Sequence, residues 1–455
     1  MSKTMFDEFQ PVSAKQWKQK IQVDLKGKDY NETLVWKTPE GVDVKPFYTY
    51  EDCSNPLTID TQAKNWKICQ PVFVNDAEKS NQKAQSLLES GVDSIYFILP
   101  SAQIEVETLV QKLPADTTLH FKLEFLSEVF IEHLLKHLSH KNVFIEVDVI
   151  GHLTKTGNWF NSLKQDHKIL ENLLSGSHPQ STLLNVQSQL YQNAGATIVQ
   201  QLAYTLAHAN EYLNHYHHLL NPNQPAISFN IAVGSNYFFE IAKLRALRLL
   251  YSALADEYGL HQNCHILASP SKRNKTLYDY NTNLLRTTSE CMSAILGGAN
   301  TVLNLPYDVF YKKSHAFSER IARNQLLILK HESYFNAVNN PASGAYYIES
   351  LTHDLAEKAL ALFKDIEASG GFLKQLKEGI IQRKIKESAQ KEQEAFQSGK
   401  LVLLGTNKHP NPKDKMKNEL ELYPFIKQRS EKTLIEPIIE TRLSEKTEQE
   451  RLKTE

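Results

Sequence analysis

Cysteine is scarce in this sequence: four residues in 455 (Cys53, Cys69, Cys264 and Cys291), with no Cys-x-x-Cys and no close pairing. That pattern excludes a disulfide framework and a cysteine zinc site, and it fits a reducing cytoplasm. An excess of one charge sign is also missing. Lys and Arg total 51 against 52 Asp and Glu, a formal net charge of -1, and no basic run is interleaved with aromatics. The electrostatic footprint of a nucleic-acid binder is therefore absent. No apolar run approaches the ~18 residues of a membrane span. The start, MSKTMFDEFQPVSAKQW, has no apolar segment behind its lysine, so it does not read as a secretory signal. Finally, no Gly-x-Gly-x-x-Gly follows a strand-like run. Neither Asn-Ala-Gly-Ala at 193–196 nor Leu-Gly-Gly-Ala at 296–299 has the spacing that brings backbone against a pyrophosphate, which counts against an open dinucleotide-binding sheet.

What is present is alternation. Residues 183–254 hold two strand-like runs, LLNVQSQL and AISFNIAVG, each leading through a small polar turn into a long segment of helical period. In the first of these segments Val199, Leu202, Leu206, Ala209, Leu213, Tyr216 and Leu220 recur at steps of three and four, which predicts one face packed on a sheet. Asn-Pro-Asn-Gln-Pro at 221–225 ends that helix, because proline lacks the N–H and clashes with the preceding turn. Six more such runs, PVFVN, SIYFILP, TLHFKLEF, VFIEVDVI, CHILAS and TVLNLP, make eight. Eight strands alternating with helices predict an α/β fold, an eight-stranded parallel (β/α) TIM-type barrel, with an open sheet as the alternative. The chain divides into an N-terminal arm at 1–35, the barrel at 36–390 and a charge-dense, linker-like tail at 391–455, expected to be solvated and helical.

Several stretches carry a resemblance. The runs YQNAGATIVQQLAYTLAHANEYL and SFNIAVGSNYFFEIAKLRALRLLY, the arm WKTPEGVDVKPFYTYED, the closing helices AFSERIARNQLLILKHES and NPASGAYYIESLTHDLAEKALALFKDIEASGG, and LVLLGTNKHP at 401–410 resemble the adenosylcobalamin-dependent acyl-CoA mutases, methylmalonyl-CoA mutase above all. In catalytic members a histidine precedes the Ala-Gly-Ala by five residues, and here that position is Leu190. The loop that in those chains reads Arg-Thr-His-x-Gln-Thr-Ser-Gly is here LASPSKRNK, Ala226 stands where an arginine precedes the strand, and Asn-Asp-x-x-Lys-Glu is replaced by VDVIGHLTKTGNW. NWKICQPVFVND keeps Trp66, Ile68 and Gln70 of the family pattern without its arginine and tyrosine. SLLESGVDSIYFIL is similar to the smaller, noncatalytic subunit of heterodimeric mutases. The cobalamin-domain motif Asp-x-His-x-x-Gly occurs nowhere in the 455 residues.

The resemblance thus implies a pseudo-enzyme subunit with no catalytic residues and no cobalamin of its own. Its implied partner is a large catalytic subunit that carries adenosylcobalamin and interconverts methylmalonyl-CoA and succinyl-CoA in propionate metabolism. In the family the arm wraps around the other subunit, and Phe6, Phe9, Trp17, Ile21 and Leu25 are spaced as anchors along it.

The strand ends and following loops offer Asn75, Asp76, Glu124, Asp148, His152, residues 187–193, Ser235, Asn236, residues 269–275 and residues 304–308, without a recognisable catalytic set. Lys272, Arg273 and Lys275 put three cations in one loop, the candidate site for a phosphate or CoA tail. A stand-alone barrel enzyme acting through that loop on an acyl-CoA or another phosphate-bearing substrate, without cobalamin, is the alternative reading. His208, His215, His217 and His218 read as cations at a helix C-terminus rather than as metal ligands, and Cys264 with His265 points to opposite strand faces, so no metal is expected.

Overall fold

Eight short strands pair side by side in sequence order, and the last returns to the first. The computed structural model describes residues 8–53, 57–61, 63–138, 142–176, 181–427 and 431–455. In it Lys67–Phe73, Ser94–Leu99, Thr118–Leu123, Val143–Val147, Ser181–Val186, Ile227–Val233, His265–Pro270 and Thr301–Leu303 form one closed parallel barrel. Val302 opposite Ile68 closes the ring. This is the eight-stranded (β/α) barrel that the alternation predicts. The first strand differs in extent: it begins at Lys67, four residues ahead of the predicted PVFVN. Polar Gln70 hides the strand pattern, and it is accommodated because the helix Ala316–His331 satisfies it. Its amide donates to Glu319 at 3.2 Å and accepts from Arg323 at 3.1 Å.

Outward side chains of the strands, among them Ile95, Phe97, Phe121, Ile145, Leu184, Phe229 and Ile231, form the main core under the helices. The helix Ile198–Tyr216 starts at a capping box between Thr197 and Gln200. Sequence period predicts one buried face, but 14 of its 19 residues are buried. The long helix Tyr346–Ala368 packs over it, and alanines 203, 207 and 209 permit close approach. The next helix, Tyr237–Glu257, is covered by the same outer helix and pairs buried Arg245 with Glu349 at 2.7 Å.

The C-terminal segment is not the solvated linker its composition predicts. Arg442, Ser444, Glu445 and Glu448 are buried. They are tolerated because each charge has a partner: Arg442 meets Glu448 at 2.5 Å, Glu448 accepts from the Leu277 amide at 2.8 Å, and Glu445 accepts from the Ile426 amide at 2.7 Å. At the other end the helix Ala14–Asp24, capped by Ser13 and Gln16, buries none of its residues. Phe6 lies outside the described residues. The arm then folds back as an antiparallel hairpin, Trp36–Lys37 against Asp43–Val44. The Glu40 carboxylate between these strands accepts from the Val199 amide at 3.2 Å, at the positive end of the helix Ile198–Tyr216. Burial pushes its pKa up to about 7.

Candidate functional site

In a (β/α) barrel, reacting groups come from the lumen and from the C-terminal strand ends. The lumen is filled. Glu146, inward on the fourth strand, accepts from Tyr96 Oη at 2.6 Å, Gln187 Nε2 at 2.8 Å and Asn230 Nδ2 at 2.8 Å. Phe144 stacks on His120, with centroids 4.8 Å apart, and meets His265 at 3.9 Å, the two histidines themselves lying 5.3 Å apart. His265 contacts Thr301 Oγ1 at 3.1 Å, and Cys69, Tyr96, Leu267 and Leu303 form an apolar plug. Burial governs the protonation of these groups: it raises the Glu146 carboxyl, raises the Cys69 thiol to about 12 and lowers His120 to about 3. Among the described lumen residues, Glu146 is spent on these three donors, whereas His120 Nε2 has no hydrogen-bond partner.

At the mouth, Leu190 sits on the short helix Gln189–Asn193 and is 4% exposed. Its neighbours are engaged. Asp148 caps the helix Val149–Thr156 through the Gly151 amide and accepts from His208 Nε2 at 2.9 Å, Tyr212 Oη at 2.6 Å and the Gln187 amide at 2.7 Å. Burial alone would raise this carboxyl, but His208 and the other donors hold it below its ordinary value. Tyr191 Oη completes the chain at 3.0 Å from His208 Nδ1. Gln192 meets the buried Lys243 ammonium at 2.8 Å, which also pairs with Glu240 at 2.5 Å.

The three loop cations do not form a common surface. Lys272 faces Glu440 at 3.1 Å, Arg273 faces Glu392 at 2.5 Å and Lys275 faces Glu290 at 2.7 Å, with Arg273 and Lys275 buried. Two of these partners come from beyond residue 390. The tail runs along the rim: the Leu434 and Ile435 amides donate to Gly157 O, Ile438 to Thr154 O, Thr441 to Asn193 O and Leu443 to Arg273 O, at 2.8–3.2 Å. Two glycines record how close this seat is. A Cβ on Gly157 (φ +82) would lie 2.6 Å from Ile435 O, and one on Gly195 (φ +98) would lie 2.6 Å from Ala389 Cβ.

The remaining sequence candidates are scattered. Asn75, Asp76, Glu124, Ser235 and Asn236 are exposed, with Asp76 capping a helix through the Lys79 amide. His152 stacks on Phe160, Ala226 is buried, and Asn304 holds Ala322 O and Gln325. Asp308 pairs with His315 at 2.7 Å beside a cavity of about 440 Å³ lined by Phe73, Ile98, Leu305 and Val309. His208 is bound to Asp148, whereas His217 turns back to Leu213 O at 3.0 Å and His215 lies against His167, so these histidines do not converge. The Glu146 cluster was missed from sequence. Its signal was a carboxylate in alternation with Phe144 on an otherwise apolar strand.

The family model for methylmalonyl-CoA mutase matches residues 132–454. The chain is 36% identical over 450 residues to the methylmalonyl-CoA mutase small subunit of Porphyromonas gingivalis, covering 90% of this chain and 71% of that one. It is 30% identical to the small subunit of Streptomyces virginiae, covering 82% and 66%, and 30% identical to methylmalonyl-CoA mutase of Rhizobium meliloti, covering 83% and 61%. The chain thus spans between about three fifths and seven tenths of the length of these relatives. By the extent of the family match and the similarity to these relatives, it belongs to the methylmalonyl-CoA mutase family.

Proposed function

We propose that this chain is the noncatalytic subunit of a cytoplasmic, heterodimeric methylmalonyl-CoA mutase and supports a large subunit that interconverts methylmalonyl-CoA and succinyl-CoA. The observation that carries this reading is the state of the mouth. Leu190, an alkyl side chain without a proton to share, stands at the family's histidine position, and the cations of the adjacent loop are neutralised from within the chain. Transition-state stabilisation needs positioned donors that are not already spent on the fold.

The same residues bear on the cofactor. The rim carries the tail, hydrogen-bonded past the loops after the fourth, fifth and seventh strands, and the donors nearest Leu190 are internally satisfied. These residues do not fit adenosylcobalamin. It belongs, in this reading, to the partner. Relatives named as small and as large subunits of methylmalonyl-CoA mutase are both similar to this chain, which supports a two-chain assembly. The stand-alone alternative is less well supported, because Lys272, Arg273 and Lys275 would have to break three ion pairs before holding a phosphate.

Co-expression with the large subunit of the same organism tests the proposal. The chain alone should show neither turnover nor cobalamin absorbance and should co-purify with the large subunit in a one-to-one complex. Stoichiometric cobalamin on the isolated chain, or isomerase activity from it, contradicts the reading.

A further inference from the structure

On the outer wall of the barrel, two histidines and a glutamate converge. The helix Glu128–His137 is capped by Ser127 and anchored to the core by Phe130, Ile131 and Leu134. His133 and His137 are one turn apart, so they project from the same face. The short helix Val106–Val110, held by its own buried Val106, Leu109 and Val110, packs beside it and presents Glu107 in its first turn. Glu107 Oε1 lies 3.1 Å from Nε2 of His133 and 3.1 Å from Nε2 of His137. Among the described residues this is the one group of three or more His, Cys, Asp or Glu side chains whose ligand atoms all lie within 4.8 Å of one another.

Hydrogen-bond accounting makes the arrangement more than proximity. His137 Nδ1 lies 2.9 Å from the backbone carbonyl oxygen of His133. A carbonyl oxygen only accepts, so Nδ1 carries the proton, and in the neutral ring Nε2 is a bare lone pair. That lone pair faces a carboxylate oxygen, two acceptors at contact distance. A cation between them resolves the conflict, and a backbone carbonyl on the far ring nitrogen is the outer support that fixes the tautomer of metal-ligating histidines. The spacing is compatible: bonds of about 2.0–2.1 Å to a tetrahedral ion set ligand atoms about 3.3 Å apart. The side chains are 36–52% exposed, which leaves room for water to complete the coordination.

We propose that Glu107, His133 and His137 form a surface site for a divalent transition metal of the zinc class, with both Nε2 atoms and a Glu107 oxygen as ligands. Two neutral imidazoles and one carboxylate offset a single charge of the ion, and imidazole with carboxylate suits zinc or its neighbours rather than magnesium or calcium. The ion would clip two helices of the outer layer together. The alternative that resolves the same contact is a second proton on His137, making an imidazolium.

Titration of the dialysed full chain with zinc chloride by calorimetry separates the two. One equivalent should bind, and the thermal midpoint should rise with it, because the ion binds the folded state. His133→Ala and His137→Ala should each weaken binding by more than the roughly 10–100-fold that loss of an outer partner costs. Glu107→Gln should weaken it less. Because these residues are exposed, the variants should melt like the parent in chelator, and circular dichroism checks this. Cobalt in place of zinc should give visible absorption in the parent that is absent from the His133→Ala, His137→Ala double variant. Absence of saturable binding, or one equivalent retained at parental strength in the double variant, overturns the proposal in favour of the protonated contact.

Discussion

The barrel mouth and the N-terminal arm end in opposite states. At the mouth, Asp148, His208, Tyr191, Gln192, Asn193, Arg273 and Lys275 all spend their polar groups on other parts of the same chain. On the arm, the helix Ala14–Asp24 buries nothing, with Trp17 and Val23 51% and 71% exposed and Phe9 ahead of it 73% exposed. A region built to react keeps donors aimed at an absent ligand, and a region built to associate keeps apolar surface aimed at an absent partner. By that standard the mouth is spent on the fold itself, and under the proposed function the arm is the surface left for a second chain.

Perturbing the lumen should give the largest effect. Glu146→Ala removes the acceptor shared by Tyr96, Gln187 and Asn230 and takes it from two buried donors, Tyr96 and Asn230, while Gln187 keeps Asn185 Oδ1, so it should cost about 3–5 kcal/mol in denaturant unfolding. A cost near zero would mean that the lumen is wet and open. The next largest effect should come from acid. His120 titrates at 6.5 when free, and burial lowers it to about 3 in the fold, so the unfolded chain binds its proton first. Its contribution to stability is complete above pH 6.5 and is lost progressively as pH falls toward 3. His120→Phe, which keeps a ring against Phe144, should flatten that slope in unfolding measured across the window.

Restoring the missing side chain is a smaller test of the same contrast. Leu190→His places an imidazole where the surroundings are spent, so it should destabilise by about 1–3 kcal/mol. It should not create isomerase activity in the isolated chain, since catalytic groups act as a unit. Measurable turnover would show that the mouth is still a working site. On the arm, Trp17→Ala should change the stability of the isolated chain by less than about 0.5 kcal/mol while weakening association with the large subunit. A stability loss as large as that of the lumen variant would make Trp17 part of the core and erase the distinction.

The sequence carried the barrel clearly, because strand and helix periods alternate and each apolar run meets a turn. Where it misled, partners distant in the chain were responsible. The tail reads as solvated because its charges are dense, yet Arg442 and Glu448 neutralise each other and seat it on the rim. Lys272, Arg273 and Lys275 read as one cationic loop because their partners, Glu440, Glu392 and Glu290, lie 15 to 168 residues away. His215, His217 and His218 crowd one turn and diverge, His215 toward His167 and His217 back to Leu213 O. His133 and His137, spaced by four, have the interval that places ligands on one face.

Deleting residues 1–30 tests the central contrast most directly. The shortened chain would be co-expressed with the large subunit and examined by size exclusion and circular dichroism. In the proposed heterodimer the arm would belong to an interface of the obligate kind, roughly 2,000–5,000 Å². Its loss should therefore abolish the heterodimer while the barrel keeps its fold and melting transition. A heterodimer that forms unchanged without the arm contradicts the account.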